Sequence, residues 1–276
     1  LPEAPAAAPT IASTLARATD RLREAGCETP RLDAEVLLAF ALKVGRERLV
    51  LDGPNVSGAD RFEELVARRV AREPVAYITG ERWFRRIALK VDPRVLIPRP
   101  ETELLVEVGL SLRTGARVVD VGTGSGAVAL ALADERRDLS VWATDAGADA
   151  VALARENAAR LGLEVRFVQS DLLAGIDERF DAVLANLPYV ADGTPLPPEI
   201  ARYEPPAALF GGPDGLSLIR RLVAQAADSE VGLLALEVGF DQADAVASLV
   251  GAAGYRSVER LRDLAGIERV IVGRRR

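Results

Sequence analysis

Apolar residues recur at helical spacing from the start of the chain. Ile11, Leu15, Ala18 and Leu22 fall on one face, and Gly26 supplies a stop. Thr29-Pro30 reads as an N-cap followed by proline at the first helical position. Leu32, Val36, Leu37 and Phe40 form the stripe of that second helix, and Gly45 closes it. Ser57 opens a third helix with Phe62, Leu65, Val66 and Val70 inward, ending near Pro74. The pattern then changes: residues 77–80 and 87–91 read as short strands around a turn. Pro98 and Pro100 lead into a helix whose first turn carries Glu101 and Glu103, charges suited to the positive end of the helix dipole.

From about residue 115 strands and helices alternate. Strands are predicted at 117–121, 141–144, 165–168, 182–185, 233–238 and 270–272, with helices at 127–133 and running through 159. This alternation predicts an α/β fold built on a mostly parallel sheet covered on both faces. The division expected is a small helical domain over 1–75, a linking hairpin over 76–95 and an α/β domain over 96–276, with no internal repeat. Ligands on such sheets bind beyond the carboxyl ends of the strands, which directs attention to the residues after each one.

Composition narrows the chemistry. Of 276 residues, 49% are hydrophobic, ample for a core and too many for global disorder. The lone Cys27 makes no internal disulfide and no cysteine zinc framework, and the absence of histidine removes an imidazole base or ligand, so no metal is expected. A net charge of −6 argues against a protein held mainly to phosphate backbones, and no direct nucleic-acid partner is expected. No apolar run approaches the roughly 20 residues of a bilayer span, and Leu1 to Pro9 lacks the basic start of a signal peptide. A cytoplasmic monomer is the expectation. The missing initiator methionine is expected to reflect processing, truncation or editing, and the chain contains no methionine or histidine anywhere, which is unusual at this length.

Chemistry-bearing residues follow the strands. After the first comes Asp120-Val121-Gly122-Thr123-Gly124-Ser125-Gly126-Ala127, a loop whose glycines allow a sharp turn and close approach of a ligand. It satisfies the loose dinucleotide fingerprint too, and a purely structural turn is the alternative. Asp145, 23 positions after Gly122, ends the second strand, where a carboxylate accepts ribose hydroxyls or caps the next helix. Ser170-Asp171-Leu172 ends the third; Asp171 suits the polar edge of an adenine and Leu172 its face, although Asp after a strand is also common turn chemistry. Glu237 ends an apolar strand and either lines the site or caps a turn. Trp142 reads as core, Arg68, Arg69 and Arg72 as an exposed helix face that can also meet a partner, and Arg274 to Arg276 as a solvated tail.

The fourth strand ends in Ala185-Asn186-Leu187-Pro188-Tyr189. It resembles the Asn-Pro-Pro-Tyr signature of methyltransferases acting on planar amide or amino nitrogens. An amide nitrogen is a poor nucleophile because its lone pair is delocalised into the carbonyl. Two acceptors, the Asn side-chain oxygen and the next backbone carbonyl, bind its two hydrogens and stabilise the charge that develops, while the aromatic ring packs on the planar group.

Further strings extend the resemblance over nearly the whole chain: Glu73-Pro74-Val75-Ala76-Tyr77-Ile78-Thr79-Gly80, then Leu96-Ile97-Pro98-Arg99-Pro100-Glu101-Thr102-Glu103. Tyr203-Glu204-Pro205, Ala208-Leu209, Gly211-Gly212 and Asp263-Leu264-Ala265-Gly266 with Arg269 continue it. The chain resembles the peptide chain release factor N5-glutamine methyltransferases. That resemblance implies a seven-stranded Rossmann-like class I methyltransferase domain behind a helical substrate-recognition domain. It implies S-adenosylmethionine as cofactor and class I release factors, through the glutamine of their Gly-Gly-Gln motif, as partners. It carries cofactor binding onto Gly122, Thr123, Gly124, Ser125, Gly126, Asp145, Asp171, Leu172 and Asn186, and the catalytic role onto Asn186, Leu187, Pro188 and Tyr189. Leu187 departs from the family's usual proline, which keeps the carbonyl but frees φ. Trp83 departs from its usual small or acidic residue. With the missing Met and His, Leu187 points to an edited or designed member. The alternatives are a ribosomal-protein glutamine methyltransferase, an adenine-N6 nucleic-acid methyltransferase, or a cofactor-binding module without catalysis. A nicotinamide dehydrogenase fits least, having no role for the fourth-strand motif.

Overall fold

A computed structural model describes residues 10–51 and 59–275. The chain opens with α1 (Ile11–Glu24), α2 (Pro30–Leu42), α3 (Arg48–Leu51), α4 (Ala59–Val70) and α5 (Val75–Thr79), followed by a hairpin of β1 (Glu81–Phe84) and β2 (Ile87–Lys90). A 3-10 turn, Pro100–Thr102, leads into α6 (Glu103–Leu110). Then come β3 (Arg117–Val121), α7 (Ala127–Glu135), β4 (Ser140–Asp145), α8 (Ala148–Leu161), β5 (Arg166–Gln169) and β6 (Ala182–Ala185). The remainder is α9 (Pro198–Tyr203), α10 (Ser217–Asp228), β7 (Leu233–Glu237), α11 (Ala243–Ala252), β8 (Ser257–Arg262) and β9 (Glu268–Arg274). Two compact units result: Leu1–Gly80 with Pro197–Tyr203, and Glu81–Leu196 with Glu204–Arg276.

In the helical unit the core is Leu15, Leu22, Leu37, Leu38, Phe62 and Val66 with their neighbours. The α1 stripe is buried as expected and Gly26, at φ 77°, ends that helix. The second helix departs from expectation. Its inward face is Ala34, Leu37, Leu38 and Ala41, while Leu32 is 43% exposed. The small alanines let α2 pack closely, turning the stripe away from the larger Leu32. The Thr29 hydroxyl donates to Asp33 Oδ1 at 2.8 Å instead of capping the backbone, and left-handed Lys43 (φ 56°), not Gly45, ends the helix. Ser57 lies outside the described residues. Residues 77–80 are not a strand: Val75–Thr79 form one helical turn started by Pro74, ended by Gly80 at φ 73°, and burying Tyr77 and Ile78. Burial there overrides the strand preference of Tyr and Ile.

The arginine face is also corrected. Only Arg68 stays near the surface, on Glu73. Arg69 is buried; its Nε donates to Asp33 Oδ2 at 2.8 Å and its Nη2 to Glu199 Oε1 at 3.1 Å. Arg72 forks onto the same carboxylate, Nε to Oε1 at 2.7 Å and Nη2 to Oε2 at 2.6 Å. Tyr203 adds a 2.8 Å bond from its hydroxyl to the Ala71 carbonyl. Buried charges need partners, and here α9 brings them back from far along the chain.

The other unit is a seven-stranded sheet in the order β5-β4-β3-β6-β7-β9-β8, parallel except for β9, which runs antiparallel to both β7 and β8. This is the α/β architecture that the alternation implied. Side chains alternate between two cores. Val118, Ala182, Leu184 and Ala235 face α6 and α7, while Val119, Val121, Val183, Ala185 and Leu236 face α10 and α11. Strand β8, absent from the expected set, is an edge strand with mostly exposed residues and so has no apolar signature. Arg274 and Arg275 are not a solvated tail. Arg274 ends β9 and Arg275 stacks 5.0 Å from the Tyr255 ring centre, while Arg276 lies outside the described residues. Trp142 is half-buried and meets Phe180 edge-on at 5.7 Å. Among the described residues no helix is long and apolar enough to cross a membrane, and no cluster of His, Cys, Asp or Glu is arranged for a metal.

Candidate active site

The strand order reverses at β3: the chain goes from β3 to β4 on one side and to β6 on the other. Crevices open at such switch points beyond the carboxyl ends. Register places the key residues in one row. Val121 pairs with Thr144 and with Ala185, and Ala185 pairs with Leu236. The next residue of each strand, Gly122, Asp145, Asn186 and Glu237, therefore stands level along that edge.

A cavity opens there, lined by Gly122, Thr123, Gly124, Ser125, Asp145, Asp171, Leu172, Asn186, Leu187 and Pro188. Two predicted residues do not face it. Gly126 (φ 86°) begins α7, and a Cβ there would lie 2.8 Å from Leu130, so its need for glycine is a packing one. Tyr189 packs into the α10–α11 core, where burial pushes its phenol up to about 12.

The glycine loop spends its N–H groups internally. Gly122 and Thr123 donate to the Thr144 carbonyl at 2.9 Å, Gly124 to Asp145 Oδ2 at 2.9 Å, and Gly126 to the Thr123 carbonyl at 2.8 Å. Asp120, buried at the loop's root, accepts from the Thr123 hydroxyl at 2.6 Å and from the Ala129 N–H at 3.3 Å. Its burial raises the carboxyl to about 7. A dinucleotide's pyrophosphate needs free N–H groups at the helix N-terminus. Here the Asp120 side chain already takes the Ala129 N–H, and the N–H groups of Gly122, Thr123, Gly124 and Gly126 are committed. The cavity instead suits a ligand with hydroxyls, an apolar ring and positive charge.

Asp145 both shapes the loop and faces the cavity. Its Oδ1 caps Gly147 N–H at 2.9 Å while Oδ2 holds Gly124, so capping and ligand-facing roles coexist. Each oxygen keeps a further lone pair, and burial raises this carboxyl too. At Gly124 (φ 54°) an added Cβ would meet no atom within 4 Å, so the glycine leaves open space beside that carboxylate. Leu172 is buried with a left-handed backbone (φ 58°), a conformation that costs roughly 1 kcal/mol or more in a residue with a Cβ. Asp171 is exposed and paired with Arg221 at 2.5 Å.

Several positioning contacts had no signal in the sequence. Asn157 is fully buried and donates to the Ser125 carbonyl at 2.9 Å and the Lys90 carbonyl at 3.0 Å, tying β2 to the loop. Glu204, 3% exposed, accepts from Ile97 N–H at 3.1 Å and pairs with Arg99, fixing the segment before α6. Thr102 in that segment receives Asn186 Nδ2 at 3.0 Å. Leu187 is 3% exposed and its Cδ2 packs where a Gly122 Cβ would stand, 3.0 Å away. Glycines clamp the loop from the other side: a Cβ at Gly211 would fall 2.3 Å from Pro188 O, and one at Gly215 would fall 2.0 Å from Tyr189 O. Gln242 Nε2 donates to Tyr189 O at 2.9 Å. Glu237 neither lines the cavity nor caps a turn; the residue is 2% exposed and its carboxyl lies against Thr102.

Known proteins are similar to this chain in sequence and in fold. Residues 13–80 match the family model described as PrmC N-terminal domain, and residues 100–197 match Methyltransferase small domain. The chain is 45% identical over 260 residues to a Release factor glutamine methyltransferase of Burkholderia pseudomallei, covering 88% of this chain and 91% of that one. A protein of the same name in Deinococcus radiodurans is 42% identical over 271 residues, covering 95% and 97%. Among solved structures, a methyltransferase from Pyrococcus furiosus aligns at TM-score 0.52 and 20% identity, covering 68% of this chain and 88% of that one. A T. Thermophilus 16S rRNA methyltransferase in complex with AdoMet and guanosine aligns at 0.52 and 18% identity, covering 71% and 50%. These two show the shared fold.

Proposed function

The chain belongs to the release factor glutamine methyltransferase family, and from that membership we propose that it methylates N5 of the glutamine in the Gly-Gly-Gln motif of class I release factors. The observation that carries this reading is the row at the sheet edge: Asn186 stands level with Gly122 and Asp145 and opens into the same cavity.

S-adenosylmethionine, the methyl donor of the family, supplies an electrophilic methyl on a sulfonium when bound. The residues present fit it. Asp145 offers lone pairs to the ribose hydroxyls, Leu172 an apolar face to the adenine, and Asp120 a buried carboxylate to positive charge. Gly124 leaves the space between them open. Asp171 is paired with Arg221, so only its unpaired edge serves the adenine. On the substrate side, Asn186 Oδ1 and the Leu187 carbonyl accept the two amide hydrogens and hold the nitrogen's lone pair in line. Pro188 walls the site against water. Tyr189 acts through its backbone, held by Gln242, more than through a ring in the cavity. Catalysis on this reading is positioning and electrostatics: the nitrogen gains the methyl and gives up one of its two hydrogens as a proton, which passes from Asn186 Oδ1 or the Leu187 carbonyl to water after transfer. We read the enzyme as a cytoplasmic monomer whose partner is a protein.

Incubation of purified release factor with enzyme and S-adenosylmethionine, followed by peptide mass spectrometry, tests the reading. One methyl gained on the Gly-Gly-Gln peptide is expected, and Asn186→Ala abolishes it. Methyl transfer to a ribosomal protein or to DNA in parallel reactions, with none to release factor, would overturn it.

A further inference from the structure

Asn186 carries the acceptor on which the proposed reaction depends, yet a primary amide can present either its oxygen or its NH2 after a half-turn about χ2. Something must choose. Asn186 Nδ2 donates to Thr102 Oγ1 at 3.0 Å, and the Thr102 hydroxyl lies against the Glu237 carboxyl. All three side chains meet on one face of the sheet. Asn186 and Glu237 stand level and point the same way by strand alternation, and Thr102 enters from the start of α6, which packs on that face. The carboxyl and the hydroxyl are 2% and 4% exposed, so water does not compete for either.

We propose that Thr102 and Glu237 form a polarity lock that holds the Asn186 amide with its oxygen turned to the substrate. An ionised carboxylate only accepts. It therefore claims the single hydroxyl proton of Thr102 and leaves that oxygen able only to accept. The amide must then meet Thr102 with NH2, and Oδ1 faces away from it. Reversing the amide would set its oxygen against a hydroxyl with no proton left to give.

Burial raises Glu237 to about 7, with Glu101 adding to the rise and Arg269 and Arg99 opposing it; the Tyr189 phenol lies within electrostatic range. Assays at pH 8 thus examine the ionised lock. Glu237 Oε2 has no hydrogen-bond partner among the described residues. An apolar residue would be cheaper at that depth, so the carboxyl's presence calls for a role beyond packing.

This inference rests on the functional reading above, and its test separates the two. The first readout needs no turnover: the side-chain NH2 resonances of Asn186, assigned by their loss in Asn186→Ala, followed by 15N NMR in the full-length protein. Wild type and Thr102→Ser are expected to show slowly exchanging protons, and Thr102→Val fast exchange and a shifted signal. The second is kinetic, with release factor as substrate. Thr102→Val and Glu237→Gln are each expected to lower kcat about 10- to 100-fold while KM for protein and cofactor stays within about 3-fold. Thr102→Ser retains activity, and the double variant Thr102→Val with Glu237→Gln falls no further than the worse single one. Unchanged Asn186 exchange in Thr102→Val, or additive kinetic losses, would overturn the lock. If wild type methylates no release factor but the NMR behaves as described, the lock stands and the functional reading falls.

Discussion

Asp120 should make the enzyme less stable as the pH rises, and replacing it should remove that penalty. The carboxyl is 3% exposed, and two hydrogen bonds, from Thr123 and Ala129, do not offset its loss of water. Its pKa moves from an ordinary 3.8 to about 7, which corresponds to about 4 kcal/mol against the ionised form. Below the unfolded value both states carry the proton and nothing is lost. Between 3.8 and about 7 the unfolded chain ionises while the folded one keeps its proton, so stability falls by about 1.4 kcal/mol per pH unit. Above about 7 both are ionised and the full penalty remains. Urea denaturation of the cofactor-free enzyme from pH 4.5 to 8.5, beside Asp120→Asn, measures this. The variant's advantage should widen by about 3 kcal/mol across that range. Parallel curves, or a wild type that gains on the variant as pH rises, would refute the reasoning.

Cofactor binding should run the other way: a cationic ligand favours ionised Asp120, so calorimetry should show affinity rising from pH 6 to 8 with proton release at the lower end. Asp145→Asn removes a charged acceptor and should weaken S-adenosylmethionine binding by about 10- to 100-fold, with the fold retained by circular dichroism. Gly215→Ala places a Cβ 2.0 Å from Tyr189 O at a φ of 75°; the loop must move, and kcat should fall together with the melting temperature. Glu199→Gln leaves Arg69 and Arg72 short of a buried counter-charge and should cost about 3 kcal/mol in chemical denaturation.

Most of the sheet was legible because its strands are short apolar runs buried on both faces, with glycine and aspartate after them. Asn186, Asp145 and the glycine loop were legible for the same reason, since switch-point chemistry sits where strands end. What escaped notice depends on distant partners. Arg69 and Arg72 look like a solvated helix face until Glu199 is brought to them, over a hundred residues later. Thr102 and Glu237 gain meaning only from register, which sets Glu237 beside Asn186. Tyr77 and Ile78 have strand propensity, and packing alone makes them helical. Edge strand β8 lacked a signal because most of its side chains meet water.

The helical unit is closed by α9, made long after the helices it joins. While the chain is being synthesised, Arg69 has Asp33 at hand, but the Glu199 carboxylate shared with Arg72 does not yet exist. The nascent helices must wait, with an incompletely neutralised guanidinium pair, until residue 203 has left the ribosome. By then β3 to β6 of the sheet have already emerged. The order of synthesis therefore makes completion of the first unit contingent on β3 to β6 having been made, while β7, β8 and β9 are still to come.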